Sequence, residues 1–400
     1  MPFTVACPSC GAYHLIADER AHEERTCACG LRLPQVVAPA PQAPPPPPAA
    51  AVQTGMSRGL IALAVVLVLA GAAVTVWSWS AGLKKARRAS EASRRLSLID
   101  DRRYDEAIRL ATSAIQSQDL PRSEAAVAYS DRGLAHWYKG EHDQAIADCS
   151  RAVELDPKLA NAWNNRALAL DDKGEYDKAI ADYTIAIQLD PRDALFYNNR
   201  GYSHEGKGDY DQAIADSDRA IALDPRDAQA YKDRARAWQN KGDDDMAIAD
   251  HTKAIELDPT DAAEWYHRGC LLADRRQHDA AIADFTQVLS LDPEYAWVHT
   301  RRGTAYWEKK ERAKAIADCT RAIELNKEDE VAWYTRGCVH EETGQHEKAI
   351  ADLDRAIQLN PNDPLNYRWR GRAYESWGNS VRSEADFAKA DELERAAKGN

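Results

Sequence analysis

Four cysteines lie within the first thirty residues, as Cys7-x-x-Cys10 and Cys27-x-Cys29. Thiolates in two close pairs suit the tetrahedral coordination of zinc, and a module of about thirty residues has too little core to fold without a staple. With all four positions filled by protein, such a site is structural rather than catalytic. A disulfide or a redox pair is the competing chemistry, and the short Cys-x-Cys spacing leaves room for it. His14 or His22 is available to replace a poorly placed sulfur. The other cysteines (Cys149, Cys270, Cys319 and Cys338) are scattered singly, which argues against a disulfide-stapled secreted protein.

A second constellation recurs along the rest of the chain. Arginine stands at Arg132, Arg166, Arg200, Arg234, Arg268, Arg302, Arg336 and Arg370. Aspartate follows sixteen residues after each, at Asp148, Asp182, Asp216, Asp250, Asp284, Asp318, Asp352 and Asp386. A ladder of ligand-binding arginines is one reading; a structural ion pair between two helices is the other. Equal multiplicity favours the ion pair, with the guanidinium largely desolvated. The sequence has no phosphate-binding glycine loop, metalloprotease helix motif or nucleophile elbow, so a non-enzymatic role is expected.

The elements that must position these residues are marked along the chain. Residues 34–58 open with "PQVVAPAPQAPPPPPAA", an extended Pro/Ala linker without side chains for a core. No charge occurs between Arg58 and Lys84, and Thr75 is the only polar residue from Leu60 to Trp77. Eighteen such residues make a helix of roughly 27 Å, enough for a bilayer core. A single transmembrane helix is therefore expected over 59–81, with Trp77 and Trp79 at its interface. A core helix would show a polar face, and a signal peptide would begin at the N-terminus.

From about residue 88 the chain repeats every 34 residues. Leu-Asp-Pro or a near variant ends at Pro157, Pro191, Pro225, Pro259, Pro293, Lys327 and Pro361. With this residue as position 32, full units run 126–159, 160–193, 194–227, 228–261, 262–295, 296–329, 330–363 and 364–397. A degenerate unit precedes them; it has Arg94 and Leu110 at the arginine and aspartate places, so the pair is expected to be broken there. Each unit reads as two helices. The first carries an aromatic at position 4 (His299 excepted) and stops at a glycine such as Gly140; the second carries Ala-Ile-Ala-Asp and stops at Leu-Asp-Pro. His136, His204 and His340 share position 11 and read as packing residues.

The small residue at position 8, alanines at 20 and 27 and proline at 32 resemble the tetratricopeptide repeat family. The resemblance implies an all-α, right-handed solenoid of eight full repeats plus one degenerate repeat, over 88–397. It implies a concave wall of first helices that holds partner protein or peptide segments. By the same resemblance Trp137, Tyr138, Asn165, Asn199, Tyr202, Tyr266, Trp297, Arg301, Trp307, Tyr334, Trp369 and Arg372 line that groove. The chaperone-tail clamp of some members needs lysines around a central asparagine. Ser130, Leu134, Asn164, Leu168, Gln229 and Asp233 stand around Asn165 and Asn199 instead, which disfavours that mode.

Residues 1–33 resemble a bacterial zinc ribbon, with "FTVACPSCG" and "RTCACG" as its two ends and the second pair one residue short. The resemblance implies a structural Zn2+ on Cys7, Cys10, Cys27 and Cys29. Net charge is −12, but residues 1–103 carry 12 Lys+Arg against 7 Asp+Glu, which leaves 40 against 57 for residues 104–400. A solenoid at −17 repels phosphate backbones, so neither nucleic acid nor a small-molecule substrate is expected there. Eight Lys/Arg crowd the basic segment after the span, within 82–103, against Arg58 alone before it. The positive-inside rule thus expects a bacterial inner-membrane protein with cytoplasmic repeats. Reduced zinc-bound thiolates favour the cytoplasm for the ribbon as well, so the two expectations conflict. The expected role is a membrane-anchored scaffold; the alternative is a sensor whose ribbon binds a partner, nucleic acid or a metal signal.

Overall fold

The computed structural model describes residues 3–6, 13–16, 85–117 and 119–398. The linker, the membrane span and the four N-terminal cysteines lie outside the described residues. Among the described residues no helix is long and apolar enough to cross a membrane, and no cluster of metal-ligating side chains occurs. The chain divides into two compact units, Met1–Ala81 and Gly82–Asn400. In the first, strands β1 (Phe3–Ala6) and β2 (Tyr13–Ile16) pair antiparallel, with Ala6 opposite Tyr13.

The second unit is helical throughout its described residues. Helix α1, described over 85–100, and α2 (Tyr104–Ile115) form the degenerate repeat. Eight helix pairs follow: α3 (Arg122–Tyr138) with α4 (His142–Leu155), α5 (Ala160–Asp172) with α6 (Tyr176–Leu189), and α7 (Ala194–Gly206) with α8 (Tyr210–Leu223). Then come α9 (Ala228–Lys241) with α10 (Asp244–Leu257), α11 (Ala262–Asp274) with α12 (His278–Leu291), and α13 (Ala296–Glu308) with α14 (Arg312–Leu325). The last pairs are α15 (Glu330–Glu342) with α16 (His346–Leu359), and α17 (Pro364–Ser376) with α18 (Ser380–Lys398).

Local chemistry sets the boundaries. The aspartate of Leu-Asp-Pro folds its side chain onto the turn: Asp156 accepts from the Lys158 backbone N–H at 3.0 Å, and Asp190, Asp224, Asp258 and Asp292 do the same. Asp193, Asp227, Asp261 and Asp363 then cap the next helix by accepting a backbone N–H at 2.9–3.0 Å. First helices end in a left-handed residue, which is glycine in six places but Arg102 (φ 59), Arg276 (φ 59) and Lys310 (φ 63) in the other three units. A side chain there strains the backbone. Arg276→Gly and Lys310→Gly are each expected to stabilise the fold by about 0.5–1 kcal/mol, read as a higher urea midpoint.

Small residues let the two helices of a unit approach closely. A Cβ built on Gly133 would come within 2.4 Å of Cys149 Sγ and 3.2 Å of the Ala145 carbonyl. Ala145, Ala152, Ala179 and Ala186 are fully buried along the second helices, with equivalents in later units. First helices also touch the next first helix, as α3 does α5, α13 does α15 and α15 does α17, whereas successive second helices meet marginally at most. The first helices are therefore the crowded inner wall of the array.

Candidate functional site

The eight arginines and eight aspartates form one repeated arrangement. Each arginine donates from Nε and Nη2 to the two carboxylate oxygens of its own unit's aspartate, at 2.6–2.9 Å. The remaining arm, Nη1, reaches position 25 of the preceding unit: Thr112, Ser150, Thr184, Asp218, Thr252, Thr286, Thr320 and Asp354 in turn. One guanidinium thus ties two helices of one unit to the unit before it. The aspartates are buried, and the Asp216 hydrogen bond raises the Arg200 guanidinium further above its ordinary value.

The aromatic at position 4 completes the arrangement. Arginines lie over it, with Arg166 4.8 Å from the Trp163 ring centroid and Arg336 4.9 Å from that of Trp333. The polar end of the ring bonds a carbonyl in the turn before its own helix: Trp163 Nε1 donates to Pro157 O at 3.0 Å and Trp265 Nε1 to Pro259 O at 3.1 Å. His299 fills the same role, Nε2 lying 3.1 Å from Pro293 O. The degenerate unit has Leu110 where the others have aspartate, and its junction to the next unit is held differently. Arg95 makes a buried pair with Asp131 at 2.7 Å, one residue after the position assigned to Arg94, so this junction has an ion pair of its own.

Two linking positions carry no signal within a single unit. The hydroxyl or carboxylate at position 25 is one. The other is an exposed clip between position 14 of one unit and position 18 of the unit before it: Lys139–Asp105, Lys173–Asp143, Lys207–Asp177, Lys241–Asp211, Arg275–Asp245 and Lys309–Asp279. Both become readable only when neighbouring units are aligned together.

The inner wall divides into used and open positions. Tyr138, Tyr202 and Trp297 are about half exposed, as are Leu195 and Leu365. Arg301 and Arg372 are exposed, whereas Tyr266, Trp307, Tyr334 and Trp369 are partly buried. Asn165 departs from expectation: it is buried, and its amide donates to Ser130 Oγ at 3.1 Å, because its carboxamide is needed to bind the preceding first helix. Asn199 donates to Asn164 in the same fashion at 2.8 Å. Trp137 and Trp307 donate their indole N–H to Asp172 and Glu342 of the next unit, at 2.6 and 3.1 Å. Towards the C-terminal end the rings meet one another: Tyr266 stacks with Tyr295 at 5.8 Å, and Trp307 meets Tyr334 at 6.2 Å and Trp369 at 5.7 Å.

Tetratricopeptide repeat profiles match residues 126–159, 160–193, 198–262, 266–330 and 331–363, more than half of the chain. The chain belongs to the tetratricopeptide repeat family. No curated protein matches this repeat protein. Among solved structures it is similar to the MamA protein, at 30% identity and a TM-score of 0.40, covering 42% of this chain and 92% of that one. YrrB, described as a TPR protein with an unusual peptide-binding site, is 24% identical with a TM-score of 0.42, covering 46% and 95%. PilF of Pseudomonas aeruginosa is 21% identical with a TM-score of 0.46, covering 52% and 94%.

One buried carboxyl on the inner wall of this repeat protein has a pH signature. Asp171 is pushed up to about 6 by burial, opposed by the hydrogen bond from Ser203 Oγ at 2.5 Å. An unfolded aspartate titrates near 3.9. Its contribution to stability is therefore full below about pH 4 and is lost as pH rises through about 6. Asp171→Asn is expected to gain about 1 kcal/mol at pH 7 and nothing at pH 3.5, read from urea unfolding at both values.

Proposed function

We propose that this chain is a non-catalytic, membrane-anchored scaffold that holds an extended segment of a partner protein along its inner wall. The observation that carries the reading is the set of half-exposed aromatics, Tyr138, Tyr202 and Trp297, on a face where Trp137, Asn165, Asn199 and Trp307 are engaged in joining units. Exposed aromatics at a lined, concave surface are the usual anchors of peptide recognition. Residues 59–81 supply the anchor, and the eight cations after it favour repeats on the cytoplasmic side of a bacterial inner membrane. Cys7, Cys10, Cys27 and Cys29 are four thiolates of the kind zinc prefers, and the metal would serve to fold the N-terminal module.

The test uses full-length protein in detergent with a site-specific photo-crosslinker at Trp297 or Tyr202. Crosslinks to one partner segment, lost in Tyr202→Ala and Trp297→Ala proteins that remain folded, support the reading. Crosslinks that map only to residues 1–33 refute it in favour of a ribbon-based sensor. A C-terminal alkaline phosphatase fusion tests the side: high activity places the repeats outside and overturns the charge argument.

A further inference from the structure

The arginines of this solenoid fall into two groups by their partners. Those at position 7 are each saturated by a carboxylate of the same unit. Arg301 and Arg372 are exposed on the inner wall, and among the described residues neither makes an ion pair. Burial works against the Arg301 charge, while the nearby Cys270 thiol, Tyr266 hydroxyl and Asp274 carboxylate outweigh it and hold the guanidinium above its ordinary value. Arg372 lies on the Trp369 ring with its guanidinium carbon 4.3 Å from the centroid. A guanidinium resting on a ring keeps its N–H groups at the edge, free to grip a carboxylate with two parallel bonds. The ring also fixes the fork in place, so little freedom is lost when it is filled.

Between these two cations runs the aromatic cluster of Trp307, Tyr334 and Trp369. The surrounding chain is strongly acidic, and Asp274 acts on Arg301 from beyond ion-pair distance. That field repels a uniformly acidic tract and admits negative charge only where an arginine waits. We infer that the stretch from the fifth to the eighth unit takes an extended peptide with two separated carboxylates flanking an apolar or aromatic side chain. The carboxylates meet Arg301 and Arg372, and the apolar side chain meets the rings between them. This rests on the groove reading above and names the chemistry of its ligand.

The experiment titrates the full-length protein in detergent with synthetic peptides that carry Glu on both sides of a Leu or Phe centre, the spacing varied. Identical peptides with Gln in place of Glu serve as the comparison. Binding is read by tryptophan fluorescence and confirmed by calorimetry. At the best spacing the Glu peptide is expected to bind at least about tenfold more tightly than its Gln counterpart, as for a charge-assisted pair. Arg301→Gln with Arg372→Gln should abolish that difference while circular dichroism stays unchanged, both side chains being exposed. Equal binding of Glu and Gln peptides overturns the inference and leaves the groove reading standing. A charge preference that survives the double substitution also overturns it. Absence of binding by either set overturns both.

Discussion

Asp216→Ala is expected to lower stability by about 3 kcal/mol, the low end of the cost of stranding a buried charge, since the Arg200 side chain keeps 21% of its exposure. The substitution removes both acceptors of the Arg200 fork at 2.9 and 2.6 Å, and Thr184 at 3.0 Å cannot balance the charge. Because each unit touches only its neighbours, the loss should split the array near its middle rather than lower one global transition. Hydrogen exchange should therefore show the third unit losing protection first. Replacing the pair together, with Arg200→Met and Asp216→Leu, should cost less than Asp216→Ala alone. Unchanged stability with loss of partner binding would sink the structural reading and restore a ligand-binding ladder.

Phe285→Ala carries the other large effect, about 3–5 kcal/mol. The ring is fully buried against Val288, Leu289 and Val298, with Trp265 and Tyr266 packed on the same cluster. Its nearest small neighbour, Gly269, would bring a Cβ within 2.8 Å of the ring, so the void has no side chain able to fill it. The substitution also withdraws support from Tyr266, whose ring centroid lies 6.3 Å from that of Phe285. Peptide affinity in the surviving folded protein should fall together with stability. Phe285→Leu, which keeps most of the volume, should recover much of both. A stability loss below about 1 kcal/mol for Phe285→Ala would show that the helices close over the void.

Much of this fold was legible because one message is written eight times. The 34-residue spacing, the Leu-Asp-Pro stops and the small residue at position 8 mark the helix pairs, whose ends fall at those signals. The partner of each arginine was legible for the same reason, since sixteen residues separate the two in every unit. What the sequence hid lies between units. Thr184 at the back of Arg200 looks like an ordinary exposed threonine until the neighbouring unit is folded against it. Asn165 shows the same limit from the other side: a position that is open in a generic solenoid is buried here by the Ser130 hydroxyl it must meet. The Arg95–Asp131 pair lay outside the repeated pattern because it joins two units across 36 residues, where each position-7 arginine pairs within its own unit across sixteen.

The row of exposed clips stops before the array does. Its cation is Thr343 and then Trp377 in the last two units, and the residue opposite becomes Ala313 and then Glu347. The first of these junctions has an Arg312–Glu342 contact at 3.2 Å in exchange, while Trp377 at the second is half exposed. Neither junction therefore has the position-14 to position-18 clip of the other six, and the cation–anion links left to them are Arg312–Glu342 at the first and Arg370–Asp354 at the second. Trp307, Tyr334 and Trp369 straddle these same two junctions. The wall that carries the arginine–aromatic cluster is thus the stretch joined by fewer exposed clips, the stretch whose width has most room to adapt to an occupant.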